Sequence, residues 1–340
     1  LYMGRLSFHA KAHPLALYQA LELAVKRSGK EVVLVECGWH ANEFIAKAYS
    51  EAAKIACPSI RVINLDGRKE SDRNTAWASA DVLVSLADNI QETFGIVPIE
   101  GMAAGIPVIV SDWDGYKDTV RDGVDGYRIP TLMPESGLGA DLAFRHALEI
   151  DTYDMYCGHT CSVIAVDIEA TAQAFIKLLE SKQLRKKLGA QGQKRAKEVY
   201  DWSVIIPQYE SLWDQLTEIR LSKGQELKPL PHPWPARSDP FHTFSSYPTQ
   251  ALSAQTMMAL VDPTWEKALK RIIEYKELSM VNFANTVLPS YDEIQIILKY
   301  LDKGPKTAGN IIDSVDSNRK AFVLRSLTWF VKLGILKVNR

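Results

Sequence analysis

From Leu1 to about residue 130, short apolar runs alternate with stretches of helical spacing, which restricts this part of the chain to a parallel sheet covered by helices. The strand candidates are Leu1 to Gly4, Val32 to Val35, Arg61 to Leu65, Val82 to Leu86 and Pro107 to Val110. They read as continuous Val/Ile/Leu runs, the composition of strands buried on both faces. Between them, Leu15, Leu17, Leu21 and Val25, then Phe44, Ile45, Ala48 and Ala52, recur at the spacing of one helix face. The predicted fold class is α/β, a Rossmann-like doubly wound parallel sheet.

That rhythm breaks between about 131 and 166, read as an insertion at the domain edge. Helical spacing resumes after Asp167, a candidate N-cap, so the α/β domain is predicted to span 1–220. Residues 221–262, rich in Pro, Ser and His, read as a linker. Beyond it, Pro263 to Phe283 is a predicted helix. From Tyr291 to Arg340 the pattern is helix, turn, helix, turn, longer helix and strand, so 263–340 is predicted to be a small helical, winged-helix-like domain. The chain opens LYMGR, directly in a core strand and without an initiating methionine, so a fragment or excised domain is expected.

Length and charge exclude several classes. The 340 residues allow roughly two domains of about 150 residues. Forty Lys and Arg against 41 Asp and Glu leave a net charge of -1, so no overall field draws the chain to nucleic acid or an anionic membrane. Four cysteines are too few for a secreted disulfide scaffold, and a reducing, cytoplasmic setting is expected. No apolar run approaches the roughly 18 residues of a membrane span, so any membrane contact is expected to be peripheral.

The chemistry concentrates in ADVLVSLADNIQETFGIVPIEGMAAGIPVIVSD, which begins at Ala80. Strand Val82 to Leu86 ends in a polar loop, and Gly95 then opens a helix with Pro98 in its first turn, where a missing N–H costs nothing. The N–H groups of Phe94, Gly95 and Ile96 are expected to face the crevice at the strands' C-terminal ends, where anions bind in open α/β sheets. Glu92 in the loop and Glu100 a turn inside the helix place two carboxylates at different depths of that crevice, one for sugar hydroxyls and one for a ribose diol.

Glu92, seven residues and then Glu100, within ETFGIVPIEGMAAGIPVI, resembles the E-x7-E signature of retaining glycosyltransferases of the GT-B fold, family 4. Phe94, Gly95, Gly101, Met102, Ala103, Gly105 and Pro107 follow in the family's order, and residues 1 to about 220, insertion excepted, are similar to its C-terminal, donor-binding domain. In GRLSFHAK, Arg5 and Lys11, at the end of the first strand and in the following loop, match the family's Arg/Lys pair, with Ala12 where glycine is usual. The resemblance implies that Arg5 and Lys11 hold the diphosphate of a UDP or GDP sugar, that Glu92 acts on the sugar, and that Gly4, Phe94, Gly95, Ile96 and Glu100 complete the donor site. Fixed cations and helix N–H groups would stabilise the leaving diphosphate without a metal, so neither a metal nor another cofactor is expected. The family's complete enzyme has a second Rossmann domain for the acceptor, which is not expected within these residues.

Other motifs weigh less. Asp112-Trp113-Asp114 is formally a metal-binding D-x-D but follows a strand, where a turn or cap role is more ordinary. Asp66-Gly67 is a turn at another strand end. Cys157, His159 and Cys161, with Asp151 and Asp154, lack the paired spacing of a zinc site, although His159 or Ser162 could line the donor crevice. Arg319, Lys320, Arg325 and Lys332 lie on or near a candidate recognition helix, but its apolar residues have core spacing. The C-terminal domain is therefore expected to meet a protein partner or a second copy rather than DNA. The acceptor, whether saccharide, lipid or protein, is not legible. A non-catalytic nucleotide-sugar-binding or assembly module and a sugar-phosphate enzyme such as an epimerase or phosphorylase are the competing readings.

Overall fold

A computed structural model describes residues 1–223, 226 and 239–339. Strands β1 (Tyr2–Met3), β2 (Val33–Gly38) and β3 (Arg61–Asp66) form one parallel ladder, and β4 (Leu83–Ser85), β5 (Val108–Ser111) and β6 (Gly126–Ile129) another. The Leu1 nitrogen donates to Val82 O and the Val84 N–H to Leu1 O, both at 2.8 Å, which joins β1 to β4. The sheet therefore runs β3-β2-β1-β4-β5-β6, the doubly wound order whose ligand crevice opens where the order reverses, between β1 and β4. Each strand expected from the sequence is present with shifted ends; β6 was not expected.

Helices α1 (Leu15–Ser28), α2 (Glu43–Ala56), α3 (Glu70–Ser79), α4 (Ile96–Ala103) and α5 (Tyr116–Thr119) connect these strands. Local chemistry sets their ends. Asn42 Oδ1 accepts from the Ile45 N–H at 3.0 Å to start α2, and Gly29, at φ 65°, stops α1 by donating to Val25 O. The strand ends crowd closely: a Cβ on Gly38 would stand 1.9 Å from Gly4 O, so only glycine lets β1 and β2 finish side by side.

One buried acid sits within this core. Glu36 on β2 is 2 % exposed and accepts from the Tyr18 hydroxyl at 2.5 Å. Burial pushes its pKa from 4.5 to about 7, against the Tyr18 hydrogen bond. Between those values the folded chain holds a proton that the unfolded chain has released, so stability falls as pH rises through that window, by on the order of 3 kcal/mol. Glu36→Gln is expected to remove most of this slope. Denaturant melts from pH 4.5 to 7.5 check it, and an unchanged slope would refute the assignment.

The remainder is woven onto the same body. Strand β7 (Thr131–Pro134), helices α6 (Ala140–Ala147) and α7 (Tyr153–Cys161) and strand β8 (Ala165–Val166) fill the expected insertion. Helices α8 (Ile168–Glu180), α9 (Lys182–Arg195) and α10 (Trp202–Lys223) follow, α8 packing on α1 and α9 on α4. The expectation of a linker over 221–262 is corrected for its described part. Helix α11 (Pro240–Thr243) and strands β9 (Gln250–Leu252) and β10 (Met257–Leu260) lie within it. Strand β9 pairs parallel with β7, which also pairs antiparallel with β8, so the insertion and the linker close one sheet together. The Pro-rich run from Lys228 to Ser238 lies outside the described residues.

After β10 come α12 (Trp265–Lys276), α13 (Ser279–Asn282), α14 (Tyr291–Leu301), β11 (Lys306–Thr307), α15 (Ala308–Ile312), α16 (Lys320–Lys332) and β12 (Leu336–Val338). The helix expected over 263–283 is broken at Leu278. Strand β10 lies between β11 and β12 in an antiparallel sheet. Helix α16, the candidate recognition helix, is an interior element packed on β7 and β8. Arg325, 1 % exposed, forks onto Asp141 and donates to Leu138 O at 2.9 Å; Lys332, 2 % exposed, reaches Asp88. The other two cations are paired as well, Arg319 with Glu293 and Lys320 with Asp313, both at 2.7 Å. None of the four forms a free basic face. Helix α10 is the opposite case: none of its residues is buried, and Trp202, Trp213 and Leu216 stand in solvent. Among the described residues no helix is long and apolar enough to cross a membrane.

Candidate functional site

The loops after β1 and β4 leave the sheet at its switch point and turn toward each other. The β1 loop is wound tightly, Lys11 and Ala12 N–H groups both donating to Ser7 O, which presents the Lys11 side chain outward. In the β4 loop, the Glu92 N–H donates to Asn89 O at 3.0 Å, a turn that swings the Glu92 carboxylate back across the gap. There Lys11 Nζ and the Glu92 carboxylate form an ion pair, with Glu92 8 % exposed and Lys11 28 %. Between them and α4 opens a cleft of about 360 Å³ that includes Thr93, Phe94, Gly95, Ile96 and Tyr116.

Helix α4 begins at Ile96 with no side chain capping it, so the N–H groups of its first turn are left pointing outward. Gly95 precedes it at φ 72° and ψ 98°. A Cβ there would lie 2.1 Å from the Tyr116 ring, so glycine is required both by conformation and by contact. The Tyr116 ring forms the floor; it is buried, and its hydroxyl lies 2.8 Å from Ser85 Oγ. Burial, and then the negative charge of Glu92, hold its pKa well above the ordinary value, so it remains a neutral hydroxyl. Phe94 and Ile96 are exposed at the rim, Phe94 edge-on to Tyr200.

The cleft thus unites Lys11, Glu92, Phe94, Gly95 and Ile96. Gly4 lies beside it, a Cβ at that position standing 3.9 Å from Lys11 Cε. Two expected residues are placed elsewhere. Arg5 is exposed, and its guanidinium is turned onto Ala10 O at 2.8 Å. Glu100 is on the open flank of α4; partial desolvation raises its pKa, offset by the charge of Arg73. Tyr116 and Ser85 are the residues that sequence reasoning missed. The available signal was Gly115, whose missing side chain lets α5 lie against the β4 loop, a Cβ there being 2.4 Å from Thr93 O.

The weaker motifs resolve as structure. Asp112 Oδ2 accepts from Thr249 Oγ1 at 2.7 Å, and buried Trp113 donates from Nε1 to Asn89 O at 3.1 Å, tying β5 to the β4 loop. His159 is 1 % exposed and bonded to Asp151, itself gripped by Arg145, so His159 is part of the packed insertion rather than of the cleft wall. The four cysteines are free and buried, and among the described residues no group of three or more His, Cys, Asp or Glu could hold a metal ion. A larger cleft, about 790 Å³, lies between α1, α8 and the C-terminal elements, away from the switch point. Three of the four cations that line it are paired with neighbouring acids: Lys26 with Glu22, Arg27 with Glu169, Arg271 with Asp262.

Residues 1–136 match the family model for glycosyl transferases group 1. The phosphatidyl-myo-inositol mannosyltransferase of Mycobacterium leprae is 31% identical over 146 residues, 43% of this chain and 29% of that protein. The lipopolysaccharide 1,2-N-acetylglucosaminetransferase of Salmonella typhimurium is 28% identical over 144 residues, 42% of this chain and 37% of that protein. The chain therefore spans well under half the length of the curated relatives it matches. Among solved structures, the Anabaena protein HepE in complex with UDP and glucose aligns at a TM-score of 0.42 and 16% identity, over 63% of this chain and 47% of that one.

Proposed function

We propose that this chain supplies the donor half of a retaining, family 4 glycosyltransferase, binding a nucleoside diphosphate sugar with UDP or GDP as the nucleotide. The observation that carries the reading is the Lys11–Glu92 pair facing the uncapped start of α4 across one cleft at the switch point. As the anomeric C–O bond breaks, its electrons pass to the diphosphate oxygen, while an acceptor hydroxyl forms the new bond to the anomeric carbon and its proton goes to the departing diphosphate. Lys11 and the outward N–H groups of α4 stand where that charge grows, in a partly enclosed cleft where fixed dipoles act strongly. Lys11 can then exchange Glu92 for the diphosphate, leaving the carboxylate to accept from sugar hydroxyls. Arg5 joins as a second cation once it releases Ala10 O, and Glu100 takes the ribose diol. No metal is required by this scheme.

The names of the relatives make a lipid-borne glycan the first acceptor class to try, at the cytoplasmic face of a membrane. The C-terminal elements are read as winged-helix-like, able to meet a protein partner or a second copy as well as to pack on the α/β body. Titration calorimetry with UDP, GDP and their sugars tests the core reading: we expect binding that weakens in Arg5→Ala and Glu100→Ala. Absence of binding, or binding indifferent to both substitutions, would refute it, and binding without turnover would favour a non-catalytic module.

A further inference from the structure

The C-terminal elements reach under the donor cleft at one point. Lys332, the last residue of α16, places its ammonium against the Asp88 carboxylate, 2.8 Å from Cys161 O and 3.2 Å from Ile164 O. Both members of the pair are buried, at 3 % side-chain exposure each. The other Asp88 oxygen accepts from the His13 N–H at 3.2 Å. His13 is two residues after Lys11, and Asp88 is four before Glu92, so both loops that present the cleft's charges hang from one carboxylate. The β1 loop is held twice more from the C-terminal side. His13 Nε2 bonds Met280 O at 3.3 Å, and the Phe283 ring stacks on His9 and meets Phe8 edge-on. Asn89 then closes the set, donating to His9 O at 2.9 Å.

We infer that Lys332 is a positioning residue of the donor site, fixing through Asp88 the separation of the Lys11 and Glu92 loops, so that the C-terminal elements are a working part of that site. This rests on the donor-site reading above. An apolar pair of the same volume usually stabilises a fold as well as a buried ion pair does. What the ammonium adds is placement: a carboxylate and two carbonyls surround it, and they converge in only one arrangement of the β4 loop and the end of α7. Lysine serves as a point charge at such a focus where the planar fork of arginine would not.

The test compares the full chain with Lys332→Met, Lys332→Arg and the charge-neutral double variant Asp88→Asn/Lys332→Met. Amide hydrogen exchange is followed at residues 7–13 and 87–93 alongside UDP and GDP affinity and thermal melts. Lys332→Met leaves a buried acid unmatched and is expected to lose stability. The double variant, free of that penalty, is expected to melt near the parent yet exchange faster in those two loops alone. Its nucleotide affinity should fall on the order of 10-fold, the scale on which groups that orient a site's own ligands act. Lys332→Arg should show the same loop-restricted change at smaller amplitude, and it decides the matter if the methionine variants do not fold. A folded variant with parental protection in both loops and parental affinity would overturn the inference, as would faster exchange spread evenly over the chain. If the parent binds neither nucleotide, the donor-site reading fails, while the exchange pattern still decides whether Lys332 positions the loops.

Discussion

Gly95→Ala is expected to abolish nucleotide binding and to destabilise the chain by on the order of 2–4 kcal/mol, the combined scale of a strained backbone and an overpacked contact. Neither cost has an escape. The residue's φ of 72° is unfavourable for any side chain, and the added Cβ meets the Tyr116 ring at 2.1 Å. The ring cannot retreat, being 1 % exposed with its hydroxyl engaged by Ser85. Relief must come from moving the start of α4, which carries the N–H groups out of line with a diphosphate. Denaturant melts and calorimetry with UDP and GDP check the two parts. A Gly95→Ala chain that bound nucleotide like the parent would show that α4 does not form the anion site.

Lys11→Met is expected to slow nucleotide release from a bound donor by about 10²–10³-fold, the effect of removing one preorganised group facing a developing charge. It also strands the Glu92 carboxylate, 8 % exposed, without its cation. Adding Glu92→Gln should therefore restore stability, which assigns the stability loss of Lys11→Met to the unmatched carboxylate. Single-turnover assays on UDP and GDP sugars, read beside thermal melts, provide the comparison. Turnover unchanged in Lys11→Met would remove the cation from the mechanism.

The parts of the fold legible in advance were those in which local pattern and tertiary role agree. Strands β4 and β5 are apolar runs buried along their whole length, so their composition announces them. Strand β6, Gly126-Tyr127-Arg128-Ile129, sits at the sheet edge beyond a turn and carries half-buried polar residues, so no such signal exists. Strand β9 is three residues long and owes its shape to pairing with β7, from which it is 118 residues removed at the Thr131–Thr249 contact. Within the site, spacing located Lys11 and Glu92, whose loops follow directly from strand ends. It could not orient Arg5, whose fork is claimed by a carbonyl five residues away, nor find Tyr116, which reaches the cleft by tertiary packing. Spacing puts Arg325 and Lys332 on or near a candidate recognition helix, and only the folded chain shows each buried against an acid.

The distance along the chain between Asp88 and Lys332, 244 residues, has a consequence for biosynthesis. At the usual elongation rates, the ribosome needs roughly 12–50 s to travel from one to the other. In the later part of that interval, once β5, β6, α8 and α9 have been made, the α/β unit carries an acid at its centre whose cation has yet to be made. The nascent sheet is obliged to wait with its β4 loop unsettled or hydrated, and the cleft matures last, when the final helix docks. A chain stalled or cut before residue 332 would thus present a recognisable unfinished state to chaperones and proteases rather than a smaller version of the finished protein.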